Sequence, residues 1–417
     1  MNEKYFKKNI NILLPDNVKL ILNTLRNAGF EAYAVGGCVR DSILGLAPTD
    51  WDITTSAKPL EIKALFKHTI DTGIQHGTVT VMIKSEGYEV TTYRVDGEYT
   101  DGRHPKDVLF TSSLIEDLKR RDFTINAMAY NEEHGVVDCF GGIEDLENGI
   151  IRCVGKAEER FTEDALRMLR AIRFSGVLGF DICDDTLGAV KRLAPAIVKI
   201  SRERIQAELE KLIMSEHPDR LKLLYDAGLM QYIFENELKK KEDIHNTDKE
   251  LMAGLITGAP KNHYVRWALF ITFAAGNNIL RSLKLDNATV KICSQLLKYK
   301  DEVLSSEEAC LRHSIVAVGR DIFGKYYMPY RMALAADSSA VLAELKPVEE
   351  AYKAIIERGD CLSVSELAVN GNDIRALGVS EGRQVGQILN NLFELVLTDC
   401  SRNNREYLLE RAAQDFC

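Results

Sequence analysis

Apolar positions change their spacing roughly a third of the way along the chain. Up to about residue 150 they fall in short runs. A helix is expected over 17–28, with Asp16 as N-cap and Gly29 just past its end. Short β-branched or alternating runs at 32–35, 78–84 and 88–93 predict strands, set apart by Gly- and Asp-rich punctuation. From about residue 155 strand signals become scarce and helical periodicity dominates to the end. The stretch 164–174 shows it well. Leu166, Met168, Leu169 and Ile172 gather on one side, and Asp164, Arg167 and Arg170 lie on the other. The pattern predicts an α+β chain: a mixed head followed by a long all-helical portion. Composition shifts suggest boundaries near Cys153, after Ser215 and near Cys310, and the charged stretch 235–249 reads as a solvated loop. No fixed-period repeat is visible, although the helical part can hide a degenerate one.

Composition narrows this picture in a few places. The 417 residues allow two to four domains, and 46% apolar with 28% charged residues is ordinary for a globular protein. A net charge of −9 argues against a general nucleic-acid coat but leaves room for a local basic track. The nine cysteines are scattered, with no C-x-x-C pair and no zinc spacing, as expected for free thiols in a reducing compartment. MNEKYFKKNINILLPD lacks the apolar core of a signal peptide, and the longest uncharged apolar stretch, 267–276, is too short to span a bilayer. A cytoplasmic protein with no membrane partner is expected.

The chemistry concentrates in Tyr33-Ala-Val-Gly-Gly-Cys-Val-Arg-Asp41, followed nine residues later by Asp50-Trp-Asp52. Aspartates at i and i+2 of an extended strand share a face, so Asp50 and Asp52 can converge on one cation. Hard carboxylate oxygens suit Mg²⁺, which also takes phosphate oxygens. Phosphoryl transfer with two metal ions needs such a pair. Gly36 and Gly37 let backbone amides approach phosphates, and Arg40 can neutralise phosphate charge. A lone D-x-D also occurs as a solvated turn and Gly-Gly as a tight turn. The order of strand, Gly-Gly, basic residue in a short helix and strand with D-x-D is what points to a nucleotidyltransferase of the DNA polymerase β type. Glu89, in Tyr88-Glu-Val-Thr-Thr-Tyr93, is the candidate third carboxylate; a polar residue on an exposed strand face would look the same.

VGGCVRD…DWDITTSA resembles the first motif of the class II tRNA nucleotidyltransferases and bacterial poly(A) polymerases. Four more of that family's motifs follow in order: RRDFTINA at 120–127, FGGIEDL at 140–146, EDALRMLR at 163–170 and ERIQAEL at 203–209. The resemblance implies a polymerase-β-like head and assigns these motifs to ribose selection, a hinge, base reading and a steadied helical neck. It divides the chain into a catalytic head (1–152), a base-reading neck (153–215), a body with a degenerate HD-like region (216–310) and a tRNA-binding tail (311–417). It implies base reading by Asp164 and Arg167, and the chemistry agrees. Cytosine and adenine each offer an amino donor beside a ring-nitrogen acceptor, which a carboxylate and a guanidinium at i and i+3 can match. Uracil and guanine present the reverse. By resemblance Gly37, Arg40, Arg121, Arg170 and Arg173 also lie near the bound nucleotide, with Arg173 toward the flank of its helix. A basic solvent face on an amphipathic helix is the plain alternative.

The helical half carries weaker signals. YVRWALF at 264–270 resembles the run before the His-Asp pair of HD-type hydrolases, but Ile271 and Thr272 stand where that pair would be, so no phosphohydrolase activity is expected. The polar loop 94–105 is expected to help the switch from C to A addition. Lys191, Arg192, Lys199, Arg202 and Arg204 are candidates for a basic track along RNA, and Gly378, Gly382 and Gly386 for close backbone approach in the tail. The expected activity is addition of C, C and A to the tRNA 3′ end from CTP and ATP with Mg²⁺, the protein holding the acceptor and T-arm region. CC-only or A-only addition, poly(A) synthesis, and a catalytically idle tRNA-binding protein are the rivals.

Overall fold

The computed structural model describes residues 5–97, 108–234, 248–274, 278–379 and 382–416. Backbone contacts divide the chain into two compact units, 1–246 and 247–417. The expected body, 216–310, straddles that division.

The first unit is built on an eight-stranded mixed sheet, in the order β1-β10-β9-β2-β3-β6-β5-β4. These strands are β1 (Phe6–Lys7), β2 (Ala32–Val35), β3 (Asp52–Thr55), β4 (Thr69–Gly73), β5 (Thr78–Ile83), β6 (Glu86–Thr92), β9 (Met128–Asn131) and β10 (Gly135–Asp138); β7 (Arg94–Asp96) and β8 (Val108–Phe110) form a separate hairpin. All neighbours in the large sheet are antiparallel except β3 and β6, which run parallel. Every residue of β2 is buried, as a central strand covered on both faces requires. Helix α1 (Asp16–Asn27) buries Val18, Ile21, Leu22 and Leu25, a stripe at helical spacing. Asp16 is the first helical residue and Pro15 the N-cap, so the aspartate complements the helix dipole instead of capping it. Gly29, at φ +89°, ends the helix as expected.

After the head come α6 (Ala157–Glu163), α7 (Leu166–Leu178), α8 (Asp184–Leu193) and α9 (Arg202–Ile213). The single helix expected over 164–174 therefore starts only at Leu166. Asp164 has extended backbone, φ −144° and ψ 104°, and closes α6. Its Oδ1 accepts the Leu166 N–H at 3.0 Å, so it acts as a turn residue between two helices. The polar-apolar rhythm runs through this break because a polar residue satisfies both readings.

The second unit is helical throughout its described residues. Its organising polar group is Arg312, 3% exposed. It donates to Asp360 Oδ2 at 2.9 Å and to the Leu397 and Thr398 carbonyls at 2.7 and 3.2 Å, closing the end of the helix Gly382–Thr398. Arg312→Met strands those carbonyls and part of a buried carboxylate, and an expected loss of about 3–5 kcal/mol follows. Urea unfolding followed by circular dichroism checks it; a loss below about 1 kcal/mol would refute this role. Thr272 packs its hydroxyl against the Ala268 carbonyl and the Tyr330 hydroxyl, and Ile271 is buried. Among the described residues nothing lies within contact of a Cβ built on Gly382 or Gly386, so this glycine spacing does not serve packing against any described helix of this unit. No helix among the described residues is long and apolar enough to cross a membrane.

Candidate active site

The site is assembled at the middle of the sheet. β2 is followed by Gly36, whose φ of +83° and ψ of −129° suit only glycine, and the chain then turns into α2 (Gly37–Ile43). A Cβ on Gly36 would lie 3.1 Å from Arg121 Nη1. β3 begins at Asp52, opposite Val35. Asp50 lies in the segment leading into the strand, so only one of the two aspartates is held by the sheet. Their charges nonetheless act on each other. Asp52 is exposed at its surface yet recessed in the surrounding protein, and its pKa is raised by desolvation and by Asp50, against the lowering effect of Arg121.

The parallel register of β3 and β6 pairs Ile53 with Val90, and the residue before each is an acid: Asp52 and Glu89. Glu89 also has a raised pKa, from desolvation first and then from Asp52 and Asp50. Asp52 and Glu89 thus lie on adjacent strands with Asp50 near enough for its charge to act on both, and Arg121 offsets the charge at Asp52 only in part, an arrangement that suits a cation. No cluster of three His, Cys, Asp or Glu among the described residues is tight enough to hold an ion alone. The donor set therefore fits an ion that completes its shell with water and phosphate oxygens, which is the habit of Mg²⁺. Cys38 packs behind Asp52, and burial with the Asp52 charge pushes its thiol up to about 11.

Beneath the strand, Asp117 is fully buried on α4 (Leu114–Lys119) and accepts from the Thr54 hydroxyl at 3.1 Å. Burial alone would raise its pKa, but the Arg120 and Arg121 guanidinium groups hold it below the usual range. Arg121 reaches it with only one long contact, 3.5 Å, which leaves the guanidinium beside Gly36 and Asp52. Arg40 is 8% exposed and is clasped by Asp41 at 2.8 Å and Asn126 Oδ1 at 2.6 Å. Its expected phosphate contact competes with these partners.

From Asn126 a relay of polar contacts runs to α7 and α9. Asn126 Nδ2 donates to Asp122 Oδ1 at 3.2 Å, and Arg170 donates to Asp122 Oδ2 from Nε and Nη2 at 2.8 and 2.6 Å. Asp122 would be pushed up by burial, but Arg170 and then Arg167 hold it well below the usual carboxylate range. Arg170 lies 3.8 Å from Glu208 of α9, and Glu208 accepts from Arg173 at 2.9 Å. Arg173 is 9% exposed and its guanidinium carbon lies 3.5 Å from the centre of the Phe174 ring; Arg40 and Arg170 sit 5.1 and 5.5 Å from the same ring. Arg173 is thus spent on protein contacts.

Asp164 and Arg167 are joined through the backbone, the Arg167 N–H donating to the Asp164 carbonyl at 3.0 Å, while their side chains reach other groups. Arg167 donates to Glu163 Oε2 at 2.6 Å and to the Arg160 and Arg120 carbonyls. Asp164 receives Arg204 of α9, at 2.6 Å on Oδ2 and 3.3 Å on Oδ1. The expected basic track is largely consumed in this way: Arg192 pairs with Glu158, Arg202 reaches the Ile233 carbonyl and Arg204 holds Asp164, while Lys191 and Lys199 stay exposed. Asp117 had no role in the sequence-based expectation, and Asp122, Asn126 and Glu208 entered it only as members of the motifs at 120–127 and 203–209. The signal for Asp122 was present, since an acid directly before the largely apolar run FTINAMA needs a cation if it is buried. Of the loop expected over 94–105, residues 94–96 form β7 and 98–105 lie outside the described residues.

A glycine turn beside strand-borne acids, with an arginine-rich helical wall behind it, defines a nucleotidyltransferase. Residues 32–152 match the family described as the poly A polymerase head domain, 179–241 a probable RNA and SrmB-binding site of polymerase A, and 260–412 tRNA nucleotidyltransferase domain 2. The CCA-adding enzyme of Ligilactobacillus salivarius is 37% identical over 419 residues, covering 96% of this chain and 97% of its own. That of Geobacillus kaustophilus is 38% identical over 405 residues, covering 94% and 96%. The crystal structure of the Bacillus stearothermophilus CCA-adding enzyme in complex with CTP aligns with a TM-score of 0.79 at 34% identity, over 97% of this chain and 99% of that one. The Thermotoga maritima CCA-adding enzyme complexed with tRNA shares the fold, with a TM-score of 0.65 at 20% identity over 98% and 97%. The chain belongs to the family of the CCA-adding enzymes.

Proposed function

We propose that this protein adds C, C and A in turn to the 3′ end of tRNA, using CTP and ATP and releasing pyrophosphate. The observation that carries the reading is the placing of Asp52 and Glu89 on the adjacent strands β3 and β6, with Asp50 two residues ahead and the Gly36 turn alongside, in a chain similar over nearly its whole length to CCA-adding enzymes. Asp50 and Asp52 hold Mg²⁺, with Glu89 adding to the negative field. When bound, the ion supplies charge stabilisation for the α-phosphate and lowers the pKa of the attacking hydroxyl. Arg121 and the Gly37 amide face the triphosphate, and Arg40 braces the turn from behind against Asn126. The RNA 3′-hydroxyl attacks the α-phosphate in line, and these fixed donors stabilise the charge that develops.

In the neck, Asp164 accepts from the amino group of cytosine or adenine and Arg167 donates to the adjacent ring nitrogen. Uracil or guanine leaves both unpaired at a cost of roughly 1–3 kcal/mol each. Arg170 and Arg173 shape the wall through Phe174. The body and tail hold the acceptor and T-arm region of tRNA through shape and backbone.

A tRNA ending at its discriminator base, given labelled triphosphates singly and together, tests this. CTP alone should add two residues, and CTP with ATP three, in the order C, C, A. Chelation should stop the reaction and Mg²⁺ restore it. Long A tracts on unrelated RNA would replace this reading with poly(A) synthesis. A halt after CC with both triphosphates, or addition of A only to tRNA already ending in CC, would make it a partial enzyme.

A further inference from the structure

Asp164 belongs to no helix, so its carboxylate is aimed by what it touches. Oδ1 accepts the Leu166 N–H at 3.0 Å and an Arg204 N–H at 3.3 Å, and Oδ2 accepts Arg204 Nη2 at 2.6 Å. A carboxylate has about four lone-pair positions. Three are taken, and among the described residues one, on Oδ2, is left over. The fork that takes two of them grips the carboxylate bidentately, which fixes the rotation of its plane.

Arg204 is itself firmly seated. It lies one helical turn before Glu208 on the same face of α9, and Glu208 holds Arg173 of α7 at 2.9 Å. Ile205, Leu209 and Leu212 are buried in the same helix. The helix that carries the fork is therefore locked to the helix that follows Asp164 at a second polar point.

We propose that Arg204 is a positioning residue for base choice, turning Asp164 so that a single acceptor lone pair faces the base. The inference rests on the base-reading role proposed for Asp164. Arg204 does not touch the base. It removes the alternative orientations in which the carboxylate could swing aside and admit a carbonyl. An amino group then finds an acceptor, and the carbonyl of uracil or guanine meets an anionic oxygen that cannot move away. This is a different job from contacting RNA phosphates, which would use the same cation without involving Asp164.

Four proteins decide it: Arg204→Gln, Arg204→Lys, Asp164→Asn and the double variant Asp164→Asn with Arg204→Gln. Each is assayed for single addition of CTP, ATP, UTP and GTP to tRNA lacking its last three residues, with kcat and KM separated and tRNA binding measured apart. Arg204→Gln is expected to lower the preference for CTP over UTP about tenfold or more, mainly through the KM for CTP. Affinity for tRNA should stay within about twofold. Arg204→Lys keeps the charge but loses the fork, so it should fall between Gln and wild type; it also serves if Arg204→Gln folds poorly. In the Asp164→Asn background the Arg204 change should add nothing to the loss of preference.

An unchanged preference in Arg204→Gln, with an altered one in Asp164→Asn, overturns the positioning role alone. An undiminished Arg204 effect in the Asp164→Asn background overturns it too, because the arginine would then act by another route. Weakened tRNA binding with intact preference would assign Arg204 to the RNA instead. An unchanged preference in Asp164→Asn overturns the base-reading role and the inference together.

Discussion

Asp52→Ala is expected to lower single-turnover incorporation of labelled CTP by about three orders of magnitude or more, with tRNA affinity within about threefold of wild type. Asp52 opens β3 opposite Val35 of β2, and β6 takes up the pairing on the other side from Ile53 onward, so the sheet holds its backbone. Neither remaining acid can take its place. Asp50 sits ahead of the strand, and Glu89 is one strand away. The folded protein should not suffer. A carboxyl whose pKa is raised on folding opposes folding at neutral pH, because the ionised form is less comfortable in the native state than in the unfolded chain. The thermal midpoint of Asp52→Ala is therefore expected to equal or exceed that of wild type, so lost activity cannot be blamed on unfolding. A residual rate within tenfold of wild type would remove Asp52 from the chemistry.

Asp122→Asn should have the largest effect on stability in the first unit, with activity falling alongside. The carboxylate accepts the Phe123 N–H at 2.8 Å, the Asn126 amide and both Arg170 contacts, and it is 8% exposed. An amide cannot accept from all of these and turns its own donors toward a guanidinium. Breaking one side of a buried pair costs about 3–5 kcal/mol. The pH dependence follows from the direction of the shift. Asp122 is held far below the ordinary value of about 4, so its contribution is complete above that value and is lost as pH falls through it toward the folded value. Wild type should lose urea stability between pH 6 and pH 3, about, and Asp122→Asn should lose less over the same interval. Parallel pH profiles for the two proteins would show that the carboxylate contributes nothing as an anion.

The centre of the site was legible because it is local. β2, the glycine turn, the short helix and the acid-bearing strand lie within about twenty positions, and β-branched runs with glycine punctuation carry their own signal. What escaped was long in sequence. Arg204 meets Asp164 across 40 positions, and Arg170 meets Asp122 across 48. No periodic window reveals such partners, so Arg204 looked like a solvent cation available to RNA. The break at Asp164 escaped for a different reason: a helix end and a helix face both want a polar residue there. The placement of Glu89 beside Asp52 needed the parallel register of β3 and β6, which side-chain alternation alone cannot supply.

The polar relay from Arg40 through Asn126, Asp122 and Arg170 to Glu208 has a bearing on how this protein can be cut. It begins in the head and ends on α9, and each member is satisfied by a group from another segment. A chain stopped at residue 152 would keep Asp122 in its wall without its arginine, and a neck expressed alone would keep Arg170 without its acid. The sheet-bearing segment and the helices α7 and α9 are therefore expected to fold together, and neither is expected to fold well when expressed without the other.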